Sequence, residues 1–558
     1  MKHISKHFWL ILVLLSMSLG KAATIPFISS AGAESMQPAS SHLGEPLVIR
    51  IPIHNRRELE SLVGHLDIWE VHLDEYGKGY VVTLADPAQQ MWLMENHFAA
   101  ILDSRSYHPS SIPGYECYRT IDELYAELQT IHASHTEITE LVDIGDSFEG
   151  RDIWVIRITN QAIAGPKPVF FLIANVHGRE LITNEAAMVY VDHLTDNYGV
   201  DPDVTWLVDF HEIHVSVSAN PDGHVKNEPG EPWTWWRKNA NSSFCPGGWE
   251  GVDLNRNSSF GWNSCPSALG CSSDVECNYS YRGPSAASED ETAAVEGYAL
   301  STFPDQRQPP LTATAPITTS GVFITLHSYG NLVLWPWGMT VDPPPNAEGL
   351  SSLGRKLAAI NGYMPTQASG LYPADGTTDD WAYGEMGIAA YTFEIGNGED
   401  GFYPPCSRYD DLIQPNISAL LYASKVVRTP YVTSHGPDVL EVHTEPTMVF
   451  AGTPVTVTAV ITDILDGQDS VSAAELYVDT PPWLGGTPVA MTPIDAHFGE
   501  TGKVTSASLE TTSLSPGRHV ILVRGQNEDG YWGPFTAAWL SIEAYTEMLL
   551  PVLFRNGP

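Results

Sequence analysis

The sequence predicts an α/β domain, a mixed and mostly parallel sheet flanked by helices, with a small α+β segment before it and a β-sandwich after it. Three observations carry that reading. The runs 168–173, 321–326 and 388–393 are branched, aromatic and too apolar to alternate, so they read as strands buried on both faces, with helix candidates between and after them. Ahead of them lies a short stretch in which strand-like and helix-like runs follow one another closely. Behind them, after the segment 431–437, the texture changes to short alternating runs separated by Gly, Pro and Asp. At 558 residues the chain is too long for one ordinary domain, and 43% hydrophobic content suffices for two or three cores.

In chain order, residues 1–23 place Lys2, His3 and Lys6 before an apolar stretch from Phe8 to Leu19 and small residues at Gly20 and Ala22. This is a secretory signal, too short to span a bilayer comfortably, so a secreted protein without a transmembrane segment is expected. Residues 24–111 contain strand candidates at 47–53, 69–73 and 80–84 and helix candidates at 57–66 and 87–100, a β-α-β-β-α unit. Residues 112–432 form the α/β domain, with helix candidates at 184–195, 351–360 and 409–426. Residues 433–545 carry strand candidates at 454–461, 474–478, 503–509, 519–524 and 537–542, as an immunoglobulin-like β-sandwich would. The tail, 546–558, is apolar with a basic end and reads as an anchoring or sorting element.

The chemistry sits at strand ends. The first buried run leads into Ala174-Asn175-Val176-His177-Gly178-Arg179-Glu180, an imidazole and a carboxylate three residues apart. The second ends in His327-Ser328-Tyr329 and the third in Glu394. His177, Glu180 and His327 make a two-imidazole, one-carboxylate set that leaves a catalytic zinc a fourth position for water. Taken singly, His327 reads as a core histidine and Glu394 as a surface charge. Three strand ends at one edge of one sheet, where α/β ligand sites form, reverse that reading.

These residues resemble those of the zinc carboxypeptidases of the carboxypeptidase A and T type. The resemblance continues in order through Asn220-Pro221-Asp222-Gly223, Trp236-Arg237-Lys238, Gly251-Val252-Asp253-Leu254-Asn255-Arg256-Asn257, Tyr281-Arg282-Gly283-Pro284-Ser285, Gly370-Leu371-Tyr372, Asp380-Trp381 and Phe393-Glu394. It implies one zinc ion per chain on His177, Glu180 and His327. Glu394 is implied as general base and then acid, and Arg237 as the cation facing the carbonyl oxygen. Asn255 and Arg256 are implied as a clamp on the substrate's terminal carboxylate, which a guanidinium pairs bidentately. Tyr372 would close over the bound residue, Arg179 and Tyr329 would contact substrate, and Asp253 would orient His177. Asp379 falls at the base of the side-chain pocket, where Asp accompanies a preference for Lys and Arg or for mixed residues. The implied activity is hydrolysis of the C-terminal peptide bond of peptides and proteins with a free C-terminus. The implied role of residues 24–111 is that of a zymogen's activation segment, with a permanent accessory domain as the competing reading.

A net charge of −39 excludes a nucleic-acid binder and favours cationic substrates, although the same charge also keeps a secreted protein soluble. A monomer is expected. Cys245, Cys265, Cys271 and Cys277 match no zinc-finger spacing and read as one or two loop-stapling disulfides, with Cys117 and Cys406 available for a third. The alternatives are a murein peptidase of the same fold and a secreted binding protein on an inactive scaffold.

Overall fold

The computed structural model describes residues 46–74, 76–103, 115–229, 235–265, 271–465 and 469–544. The signal, the segment 104–114 and the tail therefore lie outside the described residues. No helix among the described residues is long and apolar enough to cross a membrane.

The centre is an eight-stranded mixed sheet. Its strands are β5 (Thr139–Asp146), β6 (Asp152–Ile158), β7 (Val169–Ile173), β8 (Glu212–Ser216), β9 (Val322–His327), β10 (Leu332–Trp335), β11 (Met364–Gln367) and β12 (Ala389–Glu394), in the order β11-β10-β12-β9-β7-β8-β6-β5. The inner strands β12, β9, β7 and β8 run parallel, and every residue of β7 and β9 is buried. Parallel strands covered by helices on both faces have no solvent side to mark with polar residues, which is why they read as unbroken apolar runs. The antiparallel outer strands escape that signature.

Helices Leu181–Asn197, Ala347–Asn361 and Tyr409–Val426 cover the expected positions, the last with the expected bounds. Ile121–Ser134, Pro202–Phe210, Asp290–Thr302 and Thr378–Met386 were not foreseen. All six cysteines are paired, as Cys117–Cys406, Cys245–Cys277 and Cys265–Cys271. The first joins the two ends of the domain, and the other two staple the loop around Asn255 and Arg256.

Before this domain, β1 (Leu47–Ile53), β2 (Asp67–Leu73), β3 (Gly79–Ala85) and the short β4 (Ile101–Leu102) form a separate sheet in the order β2-β3-β1-β4. Helices Arg56–Val63 and Pro87–Glu95 pack on it, capped by Asn55 and by an Asp86/Gln89 capping box. Their ends fall short of residues 66 and 100, because Gly64 and Asn96 close them.

After it, eight strands from β13 (Asp438–Glu445) to β20 (Thr536–Glu543) are hydrogen-bonded in one series. The series turns over at β17 (Val489–Pro493), which pairs with β16 (Val471–Val478) through Met491 and with β18 (Gly502–Leu509) through Thr492. β13 and β15 (Val455–Thr462) thereby lie against β19 (Gly517–Asn527) and β20, around a core that includes Val457, Ile461, Leu476, Ile521 and Leu540.

Candidate active site

Three neighbouring strand ends deliver the site. Glu394 closes β12 directly opposite His327 at the end of β9, and His177 follows β7 by four residues. The turn holding His177 is fixed by close backbone packing: Gly178 N–H donates to Arg237 O at 3.0 Å, and a Cβ on Gly178 would fall 2.2 Å from Gly223 O. Asn220 Nδ2 completes the joint by donating to Val176 O (3.0 Å) and Lys238 O (3.2 Å). The segments around His177, Asn220 and Arg237 are thus three sides of one corner.

Within it, His177, Glu180 and His327 are all buried. His177 Nδ1 lies 2.8 Å from Glu180 Oε1, His327 Nδ1 lies 3.1 Å from Glu180 Oε2, and the two Nδ1 atoms are 3.1 Å apart. Asp253 Oδ1 is 3.0 Å from His177 Nε2. Although burial acts to raise it, Asp253 is held well below the usual carboxylate range by Arg237 and then His177, so it can only accept, and the His177 proton belongs on Nε2. The Nδ1 lone pair of His177 then faces another imidazole nitrogen and a carboxylate. Such a convergence of acceptors is repulsive unless a cation sits among them, and two imidazoles with one carboxylate suit zinc. These donors fit the metal that the sequence implies.

Arg237 shares Asp253, with Nη2 at 2.9 Å and Nε at 3.2 Å from Oδ2, and its Nη1 stands 4.0 Å from Glu180 Oε1. Burial pushes Glu394 up to about 7, with Glu180 adding to the rise and His327 opposing it. The cleft over these groups has a volume of about 370 Å³ and is also lined by Arg179, Asn255, Arg256, Tyr329 and Tyr372. Arg256 is buried and aimed by its own loop, Nε donating to Cys271 O (3.1 Å) and Nη1 to Asn255 O (2.7 Å). Asn255 Oδ1 accepts from Thr378 N at 3.0 Å, tying the Asn255–Arg256 loop to helix Thr378–Met386.

Asp379 is not among the residues that line this cleft. It is buried at the start of that helix, its Oδ1 accepting from Asp380 N at 3.0 Å. Asp380 takes hydrogen bonds from Gly338 N and Met339 N, and burial, with Asp379 and Asp375 beside it, holds its carboxyl well above the usual range. Asp375 completes the acidic group; its Oδ2 accepts from Cys265 N, and its Oδ1 is buried without a partner among the described residues.

The roof of the cleft was missed in the sequence. It is β2 of the N-terminal segment. Arg179 donates through Nη1 and Nη2 to Asp67 Oδ2 (2.5 Å) and Oδ1 (3.1 Å), both side chains buried. Trp69 stacks on Trp235 at 5.0 Å, and Tyr329 Oη donates to Glu70 Oε1 at 3.2 Å. Tyr372 packs against the apolar core of the segment, and Arg56 donates to Ser369 O. The one signal available was the Asp67-Ile68-Trp69-Glu70 run itself, whose acidic and aromatic residues lie just before and at the start of the strand candidate 69–73.

Comparison with known proteins gives a consistent picture. The family profile described as zinc carboxypeptidase matches residues 124–418. Carboxypeptidase A1 of Mus musculus is 27% identical over 402 residues, covering 70% of this chain and 86% of that protein. A zinc carboxypeptidase of Saccharothrix mutabilis subsp. capreolus is 31% identical over 320 residues, covering 55% of this chain and 69% of that protein. Among solved structures, carboxypeptidase A from Helicoverpa armigera superposes with a TM-score of 0.55 at 22% identity, covering 69% of this chain and 97% of that one. Thrombin activatable fibrinolysis inhibitor gives the same TM-score of 0.55 at 19% identity, covering 69% of this chain and 99% of that one.

Proposed function

The chain belongs to the zinc carboxypeptidase family and is a metallocarboxypeptidase, and on that premise we propose that it is an exported, monomeric proenzyme that removes the C-terminal residue of peptides and proteins. The observation that carries the reading is the convergence of two imidazole Nδ1 atoms and the Glu180 carboxylate beside Glu394, in a cleft that also holds Arg179, Arg237 and Arg256. One zinc ion per chain, held by His177, Glu180 and His327, would supply Lewis acidity that polarises the scissile carbonyl and makes water a nucleophile near neutral pH.

The chain's own groups then divide the work. Glu394, with its carboxyl near 7, takes a proton from the attacking water and passes it to the leaving amine. Arg237, fixed by Asp253, offers a cation to the carbonyl oxygen as negative charge develops there. Arg256 and Asn255 bind the terminal carboxylate, and Tyr372 closes over the bound residue. Arg179 and Tyr329 contact the substrate further along the cleft. A preference for basic or mixed C-terminal residues rests on the sequence position of Asp379, a buried carboxylate at the start of helix Thr378–Met386 that does not itself line the cleft. Residues 24–111 act as an inhibitory segment: β2 covers the cleft and Asp67 engages Arg179 before substrate can. The signal-like start and three disulfides support export.

The decisive experiment is trimming of a mixed peptide library by the processed protein, with and without a chelator. Stepwise loss of C-terminal residues, abolished by the chelator and restored by zinc, is expected; internal cleavage, or trimming that survives metal removal, would refute the assignment. Peptides ending in Lys, Arg, Leu and Phe, compared before and after Asp379→Ala, test the pocket. A preference for Leu and Phe left unchanged by the substitution would show that Asp379 does not set specificity.

A further inference from the structure

Beyond the catalytic corner, just after β15, stands a buried carboxylate that the Lys356 ammonium influences but that no donor among the described residues hydrogen-bonds. Asp463 is wholly buried, and neither of its carboxylate oxygens has a hydrogen-bond partner among the described residues. Its backbone is held in place, N–H donating to Thr501 O at 2.8 Å. Asp469, just before β16, and Asp438 in β13 both act on Asp463 with like charge. The nearby ammonium, Lys356, is engaged elsewhere: Nζ donates to Gly436 O at 2.7 Å and to Asp438 Oδ2 at 3.0 Å. Tyr422 Oη satisfies the other oxygen of Asp438 at 2.7 Å. Asn527 faces the two remaining carboxylates. Its Nδ2 donates to His435 O at 2.9 Å and reaches Asp469 Oδ2 at 3.4 Å, and its pull on Asp463 is the smallest of the influences on that carboxyl, from beyond hydrogen-bonding distance.

A buried carboxylate in that condition must take a proton or meet a cation. Burial raises the Asp463 carboxyl to about 6, the direction expected of a buried carboxylate that no cation meets, and a cation bound beside it would act the other way. Lys356 and Asp438 already balance each other, so Asp463 and Asp469 together leave two negative charges beside that pair.

We propose that the Asp463 and Asp469 carboxylates hold one divalent cation of the calcium type where the C-terminal sheet domain meets the catalytic domain. The donors on offer are hard carboxylate oxygens, with no imidazole or thiolate among them, and the variable coordination of calcium asks less of their geometry than the strict octahedron of magnesium. Bound there, the ion ties the end of β15 to the end of β19 at Asn527, whose amide also holds the connecting segment at His435. This site is independent of the catalytic reading and shares no residue with it.

The test uses the full chain, passed over chelating resin and reloaded with one equivalent of zinc. Calcium chloride is titrated by calorimetry, and the melting temperature is followed in parallel for the wild type, Asp463→Asn and Asp469→Asn. Binding of one calcium per chain, with a melting temperature that rises with calcium concentration, is expected for the wild type. Both effects should be lost in Asp463→Asn and weakened in Asp469→Asn, while peptide hydrolysis is unchanged. No binding by the wild type overturns the proposal, as does undiminished binding in either variant. Equally tight binding of magnesium overturns the calcium assignment.

Discussion

Glu394 stands at the half-buried end of a strand whose other residues are all buried, and desolvation raises its carboxyl to about 7, where it can both receive and release a proton. Glu394→Gln should therefore keep its zinc by elemental analysis while turnover falls by about 10²–10⁴-fold. Near-normal rates in that metal-replete variant would remove Glu394 from the mechanism. His177→Ala or His327→Ala should lose metal and activity together. Arg256 makes a different prediction, because its proposed partner is the substrate's carboxylate. Truncating one side of a buried charge-assisted pair costs about 2–5 kcal/mol, so Arg256→Ala should depress kcat/KM on free-acid peptides far more than any residual cleavage of amidated ones. Equal losses on both would mean that the arginine does not read the terminus. Residues such as His177, Glu180 and Asp253 were legible because each lies in a short contiguous pattern whose spacing follows from metal ligation and its supporting hydrogen bonds. Asp67 was not, since its partner Arg179 is 112 residues away and nothing local marks either side chain as paired.

At the scale of elements, β2 lies along the cleft and, on the proposed inhibitory role of its segment, would close it. It is held there by the Asp67–Arg179 pair and by the stacking of Trp69 on Trp235. Breaking a buried pair by removing one charge costs about 3–5 kcal/mol, so Asp67→Asn should raise the activity of the unprocessed chain on small peptides. If latency is unchanged, the pair does not hold the segment down. Burial pushes the Asp67 carboxyl up, but Arg179 and Arg237 outweigh it and leave it below its ordinary 3.8. A depressed carboxyl stabilises fully above its unfolded value and loses that contribution as the pH falls through its folded value. The hold of β2 should thus be insensitive to pH between about 8 and 5 and weaken only in stronger acid, which amide exchange in β2 can follow. Of the elements themselves, the doubly buried strands and long helices announced themselves by composition. The short outer strands β10 and β11, four residues each and paired in parallel with one another, carry too few residues for a period to show.

For the whole molecule, the C-terminal sheet domain is joined to the catalytic domain through shared core rather than through a linker alone. Phe535 is buried against Trp206 of helix Pro202–Phe210 at 6.1 Å and against Tyr477 and Trp483 at 5.8 Å each. Polar contacts rim this joint: Ala537 N donates to Asp203 Oδ1 (2.8 Å) and Trp539 Nε1 to Val200 O (2.7 Å), and Lys425 Nζ reaches Asp203 Oδ2 at 2.7 Å. The sequence shows alternating strands after residue 437, but it cannot show that Phe535 faces another domain, because a residue buried between domains has the same composition as one buried within. Coupling of this kind makes the two parts unfold together unless the joint is weakened. Phe→Ala at a buried site costs about 3–5 kcal/mol, and here the cost falls on the interface rather than on either separate core. The native chain should accordingly melt in one calorimetric transition over this region, whereas Phe535→Ala should separate the sheet domain's transition from that of the catalytic domain and lower the latter. A single transition at unchanged temperature in Phe535→Ala would show that the appended domain lends the enzyme no stability through this face.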